Sequence, residues 1–210
     1  SIPLAYCVAA MLFCFSLLIH FFCHGNQLSL LILLLYFIVN LGYSLGLKQV
    51  PFLDIVLLMS GFLLRVFYGA ELINVQISSW FYLTIVSLSF YLGLGKRRNE
   101  LQKCGSTSST RKVLAFYSYE FLDKFMYLCL TLAIAFYSLW SSNETVISTY
   151  NTDKLIWTVP FVIVLLMKYS CDIESNSFGD PVDVITHDKT LTFLSGLFGL
   201  ILLLLIYCSK

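Results

Sequence analysis

An all-α, polytopic transmembrane helix bundle is the fold class this sequence predicts, and three observations predict it. Of its 210 residues, 59% are hydrophobic, 16% aromatic and only 12% charged, with a mean hydropathy of +0.84. A soluble domain carries about 25% charged residues. The apolar residues are gathered into runs of about 18–22, the length a helix needs to cross roughly 30 Å of hydrocarbon. The alternating pattern of a membrane barrel's strands is absent from the sequence.

Seven apolar segments can be drawn, at 3–22, 28–47, 51–70, 78–95, 121–140, 155–171 and 190–208. No basic n-region precedes the first, so it is not expected to be a signal peptide. The third begins at Pro51, a residue suited to the first helical position. The fourth ends where GKRRNE, 95–100, begins. The fifth opens on Glu120 and Asp123, where the helix dipole favours anions. A Gly-Asp-Pro turn at 179–181 precedes the seventh. No internal repeat is evident, and the only low-complexity tract is GSTSST at 105–110. Residues 1–210 are expected to form a single membrane domain.

The connections set an expected orientation. Those after the second, fourth and sixth segments hold Lys48, then Lys96, Arg97, Arg98, Lys103, Arg111 and Lys112, then Lys168 and Lys189. The others hold only Lys154. Basic residues favour the cytoplasmic side. Most acids gather on that same side, from Asp54 and Glu100 to Asp188. Topology does not demand this, because acids contribute little to it.

Five constellations carry chemistry. Asn40, Tyr43, Ser44 and Lys48 fall at offsets that share one helix face, as a cavity wall or as polar glue between helices. Asp54 lies in the first turn of the third segment. Arg65 lies on the same face about 16 Å further along, where it must be paired, wetted or snorkelling. Lys96, Arg97 and Arg98 suit phosphate or anionic lipid, and Glu100 is spaced to pair with Lys96. Glu120 and Asp123 suit either a helix start or Mg²⁺, which takes few carboxylates plus substrate phosphates. The stretch SFGDPVDVITHDK, 177–189, is expected to be a solvated loop. Seven cysteines without CxxC spacing read as inert apolar thiols. His20 and His24 look incidental, and Asn143-Glu-Thr matters only in a secretory setting. The sum is a pocket suited to a phosphorylated or pyrophosphorylated substrate bridged by Mg²⁺.

Five blocks then agree in order and spacing: YSLGLKQVPFLDIVLLMSGFLLR, SSWFYLTIVSLSFYLGLGKRRNEL, YSYEFLD, TVPFV and GDPVDVITHDK. Together they resemble the UbiA-type intramembrane prenyltransferase superfamily, and within it the decaprenyl-phosphate phosphoribosyltransferase branch. The resemblance implies nine helices, of which seven are present, and a pocket open to the cytoplasm of an inner (plasma) membrane. It implies Mg²⁺-dependent transfer of phosphoribose from phosphoribosyl pyrophosphate to a polyprenyl phosphate, with release of pyrophosphate, feeding cell-envelope polymers. The partners it implies are those two substrates and the membrane. No nucleic acid is expected, and a homo-oligomer is left open.

The family's first acidic motif, of the NDxxDxxxD type, would precede Ser1. A fragment lacking part of the metal site, inactive by itself, is therefore the expectation. By motif, Tyr43, Ser44 and Lys48 match the pocket-lining Y-S-x-x-L-K, and Asp54 and Arg65 match D…GFxLR. Lys96, Arg97, Arg98 and Glu100 match KRRxEL, and Tyr117 and Asp123 match YSxxxLD. The resemblance assigns Lys48, Lys96 and Arg97 to phosphate, with Asn40, Tyr43, Ser44, Arg65, Arg98 and Tyr117 around the substrate. It makes Asp54 and Asp123 catalytic and sets Asp123 and Glu100 on the metal. Two alternatives stay open: a prenyltransferase acting on an aromatic or haem acceptor, and a transporter or lipid-binding scaffold.

Overall fold

The computed structural model describes residues 2–104, 112–175 and 180–207. The tract 105–110, Arg111 and the opening of 177–189 lie outside the described residues, as do the side chains of Lys103, Cys104 and Lys112. Among the described residues the structure is helical, with no strand.

Nine helices follow one another among the described residues: α1 (Ile2–Phe22), α2 (Gln27–Leu45), α3 (Leu53–Leu72), α4 (Ser79–Cys104), α5 (Tyr119–Ser141), α6 (Glu144–Tyr150), α7 (Val159–Ser175), α8 (Pro181–His187) and α9 (Lys189–Tyr207). Short 3₁₀ turns occupy Leu47–Gln49, Lys112–Phe116 and Lys154–Thr158. Among the described residues five stretches are long and apolar enough to cross a membrane: α2, α3, α5, α7 with its preceding turn, and α9. The seven expected segments fall on α1, α2, α3, α4, α5, α7 and α9, of which five meet that measure among the described residues. α1, 21 residues from Ile2 to Phe22, is apolar along its length. In α4 the helix runs past its apolar residues through Lys96, Arg97, Arg98 and Glu100, whose charges lower its hydropathy.

Helix ends follow local chemistry. Asn26 caps α2 by accepting from the Ser29 amide at 2.7 Å, and Ser118 caps α5 by accepting from Phe121. α2 stops at Leu45 because Gly46 takes φ +140°, open to glycine alone. Lys48 therefore leaves the helical stripe of Asn40, Tyr43 and Ser44 and sits in the following 3₁₀ turn. α3 begins at Leu53 rather than at Pro51, because Phe52 adopts φ +63°.

Successive long helices run antiparallel, so the ends of α2, α4 and α7 lie with the starts of α3, α5 and α9. α4 and α5 form the most extensive helix pair, with α3 against α4 and α7 against α5 and α9. The buried core lies toward that shared end: Ile55, Tyr91, Leu94, Leu101, Val113, Leu122, Met126, Tyr169, Ile173 and Leu191 pack together. Elsewhere α1, α2 and α9 present large apolar side chains such as Phe22, Leu45, Ile38 and Leu203 outward. Lipid is the solvent such faces require. At the opposite end His20 is buried beside the Tyr68 hydroxyl. A Cβ on Gly25 would fall 2.1 Å from the His20 ring, so only glycine fits there.

Candidate functional site

The site is built where α4 ends. Arg97 is fully buried, and each end of its guanidinium has a partner. Its Nε lies 2.7 Å from Oδ2 of Asp54, itself fully buried, in an ionic contact rather than an aligned hydrogen bond. Its Nη1 donates to Glu100 Oε2 at 2.5 Å, and its Nη2 donates to the Tyr43 hydroxyl at 2.9 Å. Tyr117 closes the network. Its hydroxyl donates to Asp54 Oδ1 at 2.7 Å and accepts from the Phe52 amide at 2.6 Å. That second bond holds Phe52 in its left-handed conformation, within a cluster of Phe116, Tyr117 and Phe121 rings. Burial, then the hydrogen bond to Asp54, push the Tyr117 phenol well above its ordinary range.

The residues flanking Arg97 point elsewhere. Arg98 is buried against α5, its Nε donating to Asp123 Oδ1 at 2.8 Å. Its carbon lies 4.6 Å from the Tyr119 ring centroid, and its Nη2 lies 3.9 Å from Glu174 on α7. Tyr127 donates to that same Glu174. The buried Nη1 of Arg98 has no partner among the described residues. Lys96 turns to the loop before α8 and meets Asp180 at 2.8 Å. That hydrogen bond, first of all, holds the Asp180 carboxyl below its ordinary range. Asp180 also caps α8 through the Val182 amide.

A second charged knot lies beside the first. Lys168 on α7 reaches Asp172 and Asp188, each at 2.5 Å. Asp188 also accepts from the Thr190 and Leu191 amides at the start of α9. The lysine, and next the Leu191 amide, bring its carboxyl down to about 2. The stretch expected to be a solvated loop thus forms α8 from Pro181 and ties it to α4 and α7.

The expected site residues therefore divide. Tyr43, Asp54, Arg97, Glu100 and Tyr117 form one connected network. Asp123 and Arg98 adjoin it on the α5 side, and Lys96 on the α8 side. Asn40 and Ser44 turn back on their own helix, donating to Tyr36 and Asn40 carbonyls, and are exposed. Glu120 pairs with Lys124 at 3.6 Å on the surface, not with Asp123. Glu100 meets Arg97 three residues back, not Lys96. Arg65 lies toward the far end of α3, donating from Nε and Nη2 to the Tyr36 hydroxyl. Lys48 is half-buried beside the start of α3, with no carboxylate partner among the described residues. Sequence reasoning did not single out Tyr119 and Glu174, partners of Arg98, or Tyr127, which donates to Glu174. Their only signal is that a buried arginine needs acids and aromatic faces nearby.

For a divalent cation the donors are oxygens on a mixed-charge rim. Among the described residues no three His, Cys, Asp or Glu side chains cluster. Glu100 and Asp123 nevertheless keep side chains 24% and 34% exposed, and Asp123 Oδ2 has no partner among the described residues. Mg²⁺ is held by one or two carboxylates plus substrate phosphates. Each of these carboxylates, taken singly, is of the kind that pattern uses.

No family model matches the chain. It is 30% identical over 199 residues, 91% of its length, to the decaprenyl-phosphate phosphoribosyltransferase of Mycolicibacterium smegmatis, of which it covers 62%. Against the protein of the same description in Corynebacterium glutamicum it is 29% identical over 199 residues, 92% of this chain and 59% of the relative. Against that of Mycobacterium tuberculosis it is 28% identical over 166 residues, 79% of this chain and 54% of the relative. The chain spans about six-tenths of the length of the first two of these curated relatives. By sequence it is similar to curated proteins described as decaprenyl-phosphate phosphoribosyltransferases.

Proposed function

We propose that this chain works as, or within, an integral-membrane transferase that moves phosphoribose from phosphoribosyl pyrophosphate to a polyprenyl phosphate and releases pyrophosphate. The observation that carries this reading is the buried Tyr43–Arg97–Asp54–Tyr117 network with charged groups at its rim, at one end of an apolar bundle. Its relatives' printed names point the same way. The charge asymmetry of the connections supports a cytoplasmic side of a plasma membrane for this end.

In the proposed reaction, an oxygen of the lipid phosphate attacks the anomeric carbon of the ribose. The bond from that carbon to the pyrophosphate oxygen breaks, and the pyrophosphate leaves with the bonding electrons. No protein nucleophile is required. Lys48 and the partly exposed Lys96 bind the diphosphate and stabilise its growing charge. Arg97 has no exposed surface to offer a substrate, so it acts as a positioning residue that fixes Tyr43 and Glu100. Asp54 holds Arg97 and, through Tyr117, the turn that carries Phe52. Mg²⁺, when bound with the donor, would be held by Asp123 and Glu100 and would neutralise diphosphate charge. The polyprenyl tail reaches this end from the lipid that bathes α2 and α9.

The test supplies the protein in membranes with ribose-labelled phosphoribosyl pyrophosphate and a polyprenyl phosphate. The expected result is label in the lipid extract, reduced at least about tenfold in Lys48→Ala by a higher KM for the donor. Transfer of a prenyl group to an aromatic acceptor, without ribose transfer, would overturn this reading in favour of an ordinary prenyltransferase.

A further inference from the structure

Of the three arginines with described side chains, Arg97 and Arg98 face carboxylates, and Arg65 faces none. Arg65 is held by neutral groups instead. Its Nε and Nη2 donate to the Tyr36 hydroxyl at 3.2 and 2.9 Å, and its carbon lies 5.4 and 5.5 Å from the Tyr36 and Phe62 ring centroids. A guanidinium has five N–H donors in a planar fork, and these contacts leave its Nη1 side for a further acceptor.

Arg65 lines a cavity of about 690 Å³ between the far end of α3, the start of α4, the end of α5 and α6. Phe81 and Trp140 supply apolar walls, and Ser78 and Thr149 supply hydroxyls. Glu71, the acid of this part of α3, lines the neighbouring cavity instead and accepts from the Asn26 amide at 2.6 Å. Among the described lining residues the cavity therefore presents one exposed cation and no carboxylate, a charge at a membrane helix that calls for an anion or water.

The geometry points to a binding site for a phosphate-bearing amphiphile, at the end of the bundle opposite the Arg97 network. Its phosphate sits on Arg65, whose planar fork suits phosphate oxygens, and its apolar part lies along Phe81 and Trp140. The same phosphate chemistry is offered by a membrane phospholipid and by a soluble phosphate. This site lies beyond the transfer reaction and does not depend on it.

Native mass spectrometry of the purified chain in a phosphate-free detergent tests this with three probes: phosphatidylglycerol, diacylglycerol and inorganic phosphate. Two variants accompany the wild type. Arg65→Gln removes the cation. Gly69→Leu fills the cavity and leaves the cation in place, since a Cβ on Gly69 meets nothing within 4 Å. The expected result is retained phosphatidylglycerol that falls about fivefold in each variant, with little diacylglycerol bound. Inorganic phosphate bound in place of phosphatidylglycerol, and lost only in Arg65→Gln, supports the phosphate site with a soluble source. Equal retention of phosphatidylglycerol by all three proteins, or diacylglycerol binding as strong as phosphatidylglycerol binding, overturns the inference. None of these readings uses transferase activity, so they stand or fall apart from the proposed function.

Discussion

Breaking the Asp54–Arg97 pair from one side should be among the most damaging single changes in the chain. Both side chains are fully buried, and the charged atoms lie 2.7 Å apart. Removing one partner of a buried pair leaves the other charged and out of water, at a cost of about 3–5 kcal/mol. In Arg97→Met, Asp54 keeps only the Tyr117 hydroxyl, so the upper part of that range applies. In Asp54→Leu, Arg97 still has Glu100 and Tyr43, which points to about 3 kcal/mol. The double variant orphans no buried charge in this pair, and replacing a buried pair by apolar groups is often close to neutral. Its cost should therefore fall short of the sum of the singles by about 2 kcal/mol or more, within the range for groups in direct contact. Equilibrium unfolding in mixed micelles of mild detergent and dodecyl sulfate, followed by tryptophan emission, measures all three variants. Single changes within about 0.5 kcal/mol of wild type, or a double variant equal to the sum, would refute the buried-hub argument.

Three further outcomes follow from the same geometry. Tyr117→Phe removes a donor to Asp54 and an acceptor for the Phe52 amide, and should cost about 1–3 kcal/mol in the same assay; the phenol's absence should also loosen the turn at Phe52. Lys96→Met removes a partly exposed ion pair with Asp180, so stability should change by only about 0–1 kcal/mol, while ribose transfer, where Lys96 meets the donor, should fall at least about tenfold through KM. Asp188 has a carboxyl held down to about 2 by Lys168, so its contribution is complete above the ordinary carboxylate range near ~4 and is lost as pH falls from there toward 2. Unfolding midpoints read across pH 7 to 2 should decline over that interval, with a shallower acid limb in Asp188→Asn.

The helical class was legible because apolar run length and helix length answer to the same hydrocarbon thickness. The ends were less so. The spacing of Asn40, Tyr43, Ser44 and Lys48 suggests one face only if the helix continues through Gly46, and a glycine at φ +140° stops it. Pro51 is suited to a helix start, yet a tertiary bond from the Phe52 amide to Tyr117, 65 residues away, moves the start to Leu53. Partners were harder still. Local spacing favours Lys96 with Glu100, but Asp180, 84 residues on, takes Lys96, and Arg97 takes Glu100. Residue types in a membrane chain mark where charges gather. Which acid meets which cation is decided by how helices cross, and a single sequence carries little of that.

Why three adjacent cations sit in the last third of α4 can now be argued from helix geometry. Consecutive residues on a helix are about 100° apart, so Lys96, Arg97 and Arg98 cannot converge on one phosphate from one turn. A clamp made by a single helix would space its cations three or four residues apart. Adjacent cations instead reach three different neighbours. Arg97 meets α2 and α3 through Tyr43 and Asp54, Arg98 meets α5 and α7 through Asp123 and Glu174, and Lys96 meets Asp180 at the start of α8. The run is built to join helices. On the proposed function, a diphosphate at this end would bind around the knot, on Lys48 and the exposed side of Lys96, and positive charge arriving with it would offset the carboxylates there.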